Sequence, residues 1–418
     1  MPKPPVPITE TLAPTDQEEL IAAVAECYSG ETPVYPLGGA TSLNFGLPAK
    51  ADGVGLSTAS LNKVIDFPAR DLTITVEAGI TMAELSAALA QEKLCLPIDV
   101  PQPEAATLGG VIATNWNGPR RYGQGTVRDY VIGIAAVDGR GKPFKGGGRV
   151  VKNVAGYDFC KLLTGSLGTL GIITGATLRL KPIPQRSTLM AVRVESYEQA
   201  ENLLTELVHS TATPTAIELL CGPPWNDDPA IGPLLSDAST GSQPMALVVG
   251  LEGSEGEVKW MIETLGRTWQ AQGASSSVTL LDEDASALWK RLADFPQAGG
   301  PPLSIKASMM PSRVVEFIAA ARVCDPQCAI QAHAGSGVVI VNFSEFPAAG
   351  LSRTLVQQLA PIAAKGRGNV VVLANPGGSE MTHQSVWGGT GSPFALMTEV
   401  KRQFDPKNIL NPGRFVYV

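Results

Sequence analysis

Long apolar runs, positive charge and clustered cysteines are all missing from this chain, and each absence removes a class of function. Nowhere do about 18 apolar residues follow one another. The opening MPKPPVPITE has no apolar core of the kind a secretory signal needs. The expectation is a protein that neither spans a membrane nor is exported. Thirty-two Lys and Arg stand against 39 Asp and Glu, a formal charge of -7, which argues against general attraction to nucleic acid or an anionic membrane. A phosphate ligand would then be held by local geometry. Of the six cysteines, Cys27, Cys95, Cys160 and Cys221 are scattered singly. Cys324 and Cys328 form the only close pair, and a metal or cluster would need about two more ligands of that kind. They read as buried thiols in a turn, in a reducing compartment, and no metal is expected.

Length and glycine are what the chain does have. Its 418 residues are enough for about two or three domains, and 44% apolar with 17% charged residues describes a globular protein. TDQEELIAAVAECYSG opens with a capping-box pattern from Thr15 to Glu18 and reads as a helix that stops at Gly30. TPVYP, then DLTITVEAG, read as strands, and TMAELSAALAQEK repeats the capping box from Thr81 to Glu84. A helix follows Gly110, YVIGIAAV and DGRG give a strand and hairpin turn, and a long strand ends at Pro182. From Leu189 the order becomes β-α-β-β-α-β, and a second such series follows. The expected class is α+β, with one large antiparallel sheet built from two similar halves. Expected boundaries are 1–184, 185–390, and a helical tail over 391–418.

Three glycine stretches stand out. YPLGGATSLNFG places Gly38 and Gly39 after a strand, where consecutive amides can point into one concavity beside Thr41 and Ser42. Alone, two glycines after a strand are more often a plain turn. TLGGVIATNWNGPRRYGQG sets Gly109 and Gly110 at a helix start, where amides lack helical partners. GSLGTLGIITG puts Gly165, Gly168, Gly171 and Gly175 in a turn and the strand leaving it, where glycine suits a bulge or a flat object against the backbone. An extended ligand with a phosphate end and a planar end accounts for all three. The dinucleotide fingerprint G-x-G-x-x-G fails on spacing, and the P-loop pattern is missing.

These stretches, with LTITVEAGITMAEL, VVKNVAGYDFCKLLTGSLGTLGIITGATLRLKP and the terminal FDPKNILNPGRF, resemble the vanillyl-alcohol-oxidase type of flavoprotein. Within it, they are most similar to the smaller FAD-binding subunits of glycolate oxidases. The resemblance is dense over the first 183 residues and good over the last 20 or so. It implies a two-part FAD-binding domain and a cap domain carrying the antiparallel sheet with its ferredoxin-like units. It also implies that Gly38, Gly39, Ala40, Thr41 and Ser42 hold the pyrophosphate. Leu108, Gly109, Gly110, Thr114, Asn115 and Gly118 would line the central section of FAD, while Ile172 and Ile173 would offer backbone groups to its flavin or adenine end. No histidine precedes His209, and Cys95 is not where cysteinyl-linked relatives place theirs, so the FAD is expected to be non-covalent.

The implied function is oxidation of a 2-hydroxy acid, glycolate to glyoxylate, with flavin as electron acceptor or relay. The implied partners are a larger flavin subunit and an iron–sulfur subunit, with a cytoplasmic location and at most peripheral contact with the inner membrane face. The alternatives are a structural subunit with a retained FAD fold, or a separate oxidase of another small alcohol or hydroxy acid. Metal-dependent relatives carry an HAGDGNLH-like stretch and a later Glu-His pair. Here HAGSGVVI keeps His333 but has Ser336 and Ile340 at the other ligand places, and His383 lies outside the pattern. His333 is therefore expected in a hairpin turn, with no metal and little catalysis by this chain alone. Lys306 could bind a carboxylate but is expected to be solvated at the sheet edge. Trp116 could pack near the flavin. No catalytic residue is assigned.

Overall fold

The computed structural model describes residues 6–148, 156–236, 244–274, 276–297, 300–389, 391 and 393–416. Residues 150–155, which open the VVKNVAGYDFC stretch of the resemblance, lie outside these. The chain divides into two compact units: unit 1 is 1–117, 126–183 and 389–418, and unit 2 is 118–125 and 184–388.

Unit 1 holds two sheets of more than two strands. The first is parallel, ordered β1-β3-β2 from Ile8–Leu12, Val34–Leu37 and Gly53–Ser57. Its helix α1 (Gln17–Gly30) turns Leu20, Val24 and Cys27 into the core at helical spacing. The cap lies one residue beyond the expected Thr15: Asp16 accepts from the Glu19 amide at 2.9 Å, while Thr15 bonds the Glu19 carboxylate. The second sheet is antiparallel, ordered β4-β5-β9-β7-β8. Its strands are β4 (Val64–Asp66), β5 (Thr73–Glu77), β7 (Val131–Val137), β8 (Pro143–Gly147) and β9 (Ile172–Arg179); the short strands β6 (Leu94–Cys95) and β10 (Lys181–Pro182) pair separately. Helix α2 (Met82–Gln91) begins with the expected capping box, the Thr81 amide donating to Glu84 at 3.0 Å. Helix α3 is Leu108–Thr114.

Each sheet has its own core, and β9 serves both. Neighbouring strand residues point to opposite faces, so Ile172 enters the core beside α1 and Ile173 the core beside α2 and α3. Ile409 and Leu410 join the first core, with Leu410 bridged to Val34. Helix Pro393–Phe404 carries Lys401, fully buried, whose ammonium bonds Asp405 at 2.5 Å and the carbonyls of Thr169 and Leu410 at 2.9 Å.

Unit 2 is built on an eight-stranded antiparallel sheet, ordered β14-β11-β13-β12-β16-β17-β15-β18. Its first half is β11 (Arg186–Val194), β12 (Ala216–Cys221), β13 (Met245–Gly253) and β14 (Ser277–Leu280). Its second half is β15 (Leu303–Ser308), β16 (Ala329–His333), β17 (Val338–Phe343) and β18 (Asn369–Ala374). Each half is a β-α-β-β-α-β unit with the ferredoxin-like strand order, so the repeat read in the pattern is real. The halves meet second strand to second strand, β12 against β16, with Glu218 opposite His333.

Candidate functional site

In unit 1, β2 delivers the chain to the wall of a cleft of about 880 Å³, its open mouth included. Gly38 and Gly39 are glycines because of what they face: a Cβ on Gly38 would lie 2.1 Å from Thr107 Oγ1, and one on Gly39 only 1.6 Å from the Ala105 carbonyl oxygen. Ala40 follows in the left-handed region, φ 58°. The amides of Gly38, Gly39, Ala40 and Ser42 donate to no protein acceptor among the described residues. Those free donors converge on a concavity that a side chain would fill, which fits an anion such as a pyrophosphate.

The start of α3 is different. Its Leu108 and Gly109 amides donate to Ile80 and Ala78 carbonyls at 2.9 and 2.7 Å, and Gly110 donates to Thr107 Oγ1 at 3.3 Å. The unpaired amides expected there are spent on the end of β5 and on the helix cap. Gly109, Gly110 and Thr114 still line the cleft, with Thr114 turning its hydroxyl hydrogen onto the Gly110 carbonyl at 2.8 Å. Thr41, Ile172 and Ile173 line it too. Leu108, Asn115 and Gly118 do not. Leu108 is buried in the core, Asn115 ends α3 with φ 51°, and Gly118 opens the segment that belongs to unit 2. Gly168 and Gly171 are at the cleft; Gly165 and Gly175 are not. Trp116 packs, half-buried, against the core around α3.

Arg414 is the cleft residue that motif spacing missed. Among the described residues it is the one Lys or Arg lining the cleft; it is 5% exposed and donates to the Leu43 and Phe45 carbonyls at 2.6 and 2.8 Å. Burial pushes its guanidinium down to about 10, against the opposing pull of Tyr35. Asn411 bonds the Leu167 carbonyl at 2.7 Å and also lines the cleft. Both belong to the NPGR of the terminal stretch FDPKNILNPGRF.

Unit 2 carries a second polar cluster. Residues 118–125 lie along its sheet: the Arg120 guanidinium pairs with Glu252 at 2.8 Å and stacks 3.8 Å over Trp289, and the Gly123 amide donates to the Thr215 carbonyl at 3.0 Å. Helix α4 (Arg121–Gln124) packs against β12, where Arg121 feels the Glu218 carboxylate. Burial lowers the Arg121 pKa, which Glu218 opposes.

Lys306 is not at the sheet edge. Its strand β15 pairs with β17 on one side and β18 on the other. Lys306 is half-buried, and burial together with the Arg121 charge pushes its ammonium down to about 8. His333, expected in a hairpin turn, stands at the entry to one, where β16 turns back into β17. It ends β16, 3% exposed, with Nδ1 2.8 Å from both oxygens of the buried Glu218. Gln331 Nε2 donates to the same carboxylate at 3.0 Å. Glu218 was hidden in the apolar run AIELL.

Among the described residues, no three or more His, Cys, Asp or Glu side chains are placed to hold a metal ion. Among the same residues, no helix is long and apolar enough to cross a membrane. Burial pushes the Cys160 and Cys221 thiols up to about 11.

The family model described as the FAD binding domain matches residues 9–147. The one described as FAD linked oxidases, C-terminal domain, matches 183–371 and 384–415, more than half of the chain. The chain belongs to the FAD-linked oxidases. It is 26% identical to glycolate oxidase subunit GlcD of Bacillus subtilis, over 96% of this chain and 88% of that one. It is 28% identical to a D-2-hydroxyglutarate dehydrogenase of Xanthomonas citri over the same shares. Glycolate oxidase subunit GlcE of Escherichia coli is 32% identical over 60% of this chain and 64% of its own length. An alkyldihydroxyacetonephosphate synthase structure shares the fold, with a TM-score of 0.69 at 16% identity over 97% of this chain and 77% of that one. As a member of this family, the chain is an FAD-dependent oxidoreductase with the α+β, vanillyl-alcohol-oxidase-type fold its glycine stretches imply.

Proposed function

We propose that this chain oxidises a small 2-hydroxy acid, glycolate to glyoxylate, as the FAD-binding subunit of a complex with a larger flavin subunit and an iron–sulfur subunit. The names of its relatives support the reaction class: glycolate oxidase subunits and a D-2-hydroxyglutarate dehydrogenase. The observation that carries the reading is the pair of cations in unit 2. Arg121 and Lys306 are both half-buried, Lys306 feels the Arg121 charge, and a substrate carboxylate would relieve that repulsion.

Under this reading residues 1–184 and 391–418 form the FAD-binding domain and 185–390 the cap. The free amides of Gly38, Gly39, Ala40 and Ser42, the Thr41 side chain and the Arg414 cation hold the pyrophosphate. Gly109, Gly110 and Thr114 leave room for the central section, and Ile172 and Ile173 give a flat backbone wall. FAD, when bound, accepts the two electrons that leave the donor carbon. Arg121 and Lys306 orient the acid by its carboxylate. Partner contacts would keep the protein at most peripherally associated with a membrane.

The test is anaerobic titration of the FAD-loaded protein with glycolate, D-lactate, D-2-hydroxyglutarate and, as a control, ethanol. The expected result is bleaching of the flavin band by at least one acid and none by ethanol. Bleaching by no acid, with dithionite still effective, would return the chain to a structural role.

A further inference from the structure

The seam between the halves of unit 2 holds a more specific arrangement than a carboxylate anchor. Glu218 and His333 are register partners across β12 and β16. Successive partners in an antiparallel ladder share a face, so the pairings Gln331 to Ile340 and Ile340 to Lys306 put Gln331, His333, Glu218 and Lys306 on one side of the sheet. With Nδ1 held between the Glu218 oxygens, the imidazole hydrogen belongs on Nδ1 and the lone pair on Nε2. Nε2 has no hydrogen-bond partner among the described residues. Gln331 Oε1 is buried with none either.

Such an arrangement does little for stability. Buried polar atoms are satisfied in the great majority of proteins, and here Gln331 Oε1 is not, on the same face as a His333 Nε2 that no described protein donor meets. A ligand bearing both a hydroxyl donor and a carboxylate would complete the set. The Glu-His pair also occupies the place where metal-dependent relatives keep the first histidine of their stretch, while Ser336 and Ile340 stand at two further positions of that stretch.

We propose that His333, held by Glu218, is the general base that removes the substrate hydroxyl proton, and that this chain does so without a metal. The proposal rests on the hydroxy-acid reading above. The O–H bond breaks and its proton bonds to Nε2, giving an imidazolium that Glu218 stabilises. The O–H electron pair becomes the second carbon–oxygen bond of the 2-oxo acid, and FAD, when bound, would supply the acceptor for the α-hydrogen and its electron pair. His333 returns the proton to water after product leaves. Glu218 acts as a positioning residue, fixing the tautomer and offsetting the new charge.

The experiment has two arms. In the first, the FAD-loaded protein and its His333→Asn variant are mixed anaerobically with whichever acid bleaches the wild type. The expected loss in reduction rate is about 100-fold or more, with affinity for oxalate, a non-oxidisable carboxylate probe, changed only a few-fold and EDTA without effect. In the second, the wild-type chain is labelled with 15N-histidine; with only three histidines in the sequence, assignment is direct. His333 should show a protonated Nδ1 and a bare Nε2, and Glu218→Gln should remove that signature. An unchanged reduction rate in His333→Asn, a wild-type proton on Nε2, or a rate that EDTA abolishes and a divalent metal restores would overturn the proposal. If His333→Asn fails to fold, the wild-type tautomer and the EDTA result decide. Bleaching by no acid at all would instead remove the hydroxy-acid reading, and this proposal with it.

Discussion

Gly39 faces the Ala105 carbonyl so closely that a Cβ would stand 1.6 Å from its oxygen. That contact is backbone against backbone, and no side-chain rotation relieves it. Gly39→Val should therefore displace the 38–42 turn and disperse its free amides. Each lost charge-assisted hydrogen bond costs roughly 1.5–3 kcal/mol, or about tenfold or more in affinity. Flavin content after purification checks this, with circular dichroism to confirm folding. Gly266→Ala is the control: nothing lies within 4 Å of the added Cβ, so a helix interior should gain about 0.5–1 kcal/mol with flavin unchanged.

FAD should come away intact. No histidine precedes His209, and the Cys95 thiol lies at 3.7 Å from the Pro182 carbonyl on a strand that does not line the cleft. Acid precipitation should leave the yellow colour in the supernatant, and colour retained on the pellet would contradict a non-covalent cofactor.

Arg414→Met should weaken FAD binding by about 10- to 100-fold, since a buried cation's bond to an anion is among the stronger hydrogen bonds. The loss should depend little on salt, because buried pairs are poorly screened. Fluorescence titration at low and high ionic strength measures both.

Lys306 predicts two pH effects of opposite sign. Its folded pKa, pushed down to about 8 from the usual 10.5, means that the unfolded chain holds more protons between those values. Stability contributed by this group therefore rises with pH across that window and is lowest below about pH 8. Carboxylate binding needs the ammonium charged and should weaken as pH rises through about 8. Lys306→Met should raise the melting temperature at pH 7 while abolishing oxalate binding. A variant that binds oxalate normally would remove Lys306 from the site.

Local pattern carried the ferredoxin-like halves, because strands such as β11 and β13 and helices such as Tyr197–His209 and Glu255–Ala271 are long enough to show their own period. It did not carry strand order. Lys306 looks solvated in LSIKASM until β18 is found pairing with the far side of β15. Glu218 and His333 lie 115 residues apart, and nothing in AIELL announces that its one acid meets a histidine. β3 and β4 were passed over because Gly53, Gly55 and the three-residue length of β4 blur alternation. The glycine pair at 38–39 was legible as a motif; the competing claims on the α3 amides were not, since Ile80 and Ala78 reach them only through folding.

The eight-residue excursion at 118–125 bears on how such a protein could be taken apart. Unit 2 is not a cassette. A gene cut at codons 184 and 388 would deliver the sheet without Arg120, Arg121 and the Gly123 amide, leaving Glu252 without its guanidinium partner and Glu218 without its nearby cation. Any exchange of the cap between relatives, by recombination or at the bench, has to carry that short strap across as well. A chimera that leaves it behind inherits a foreign binding face.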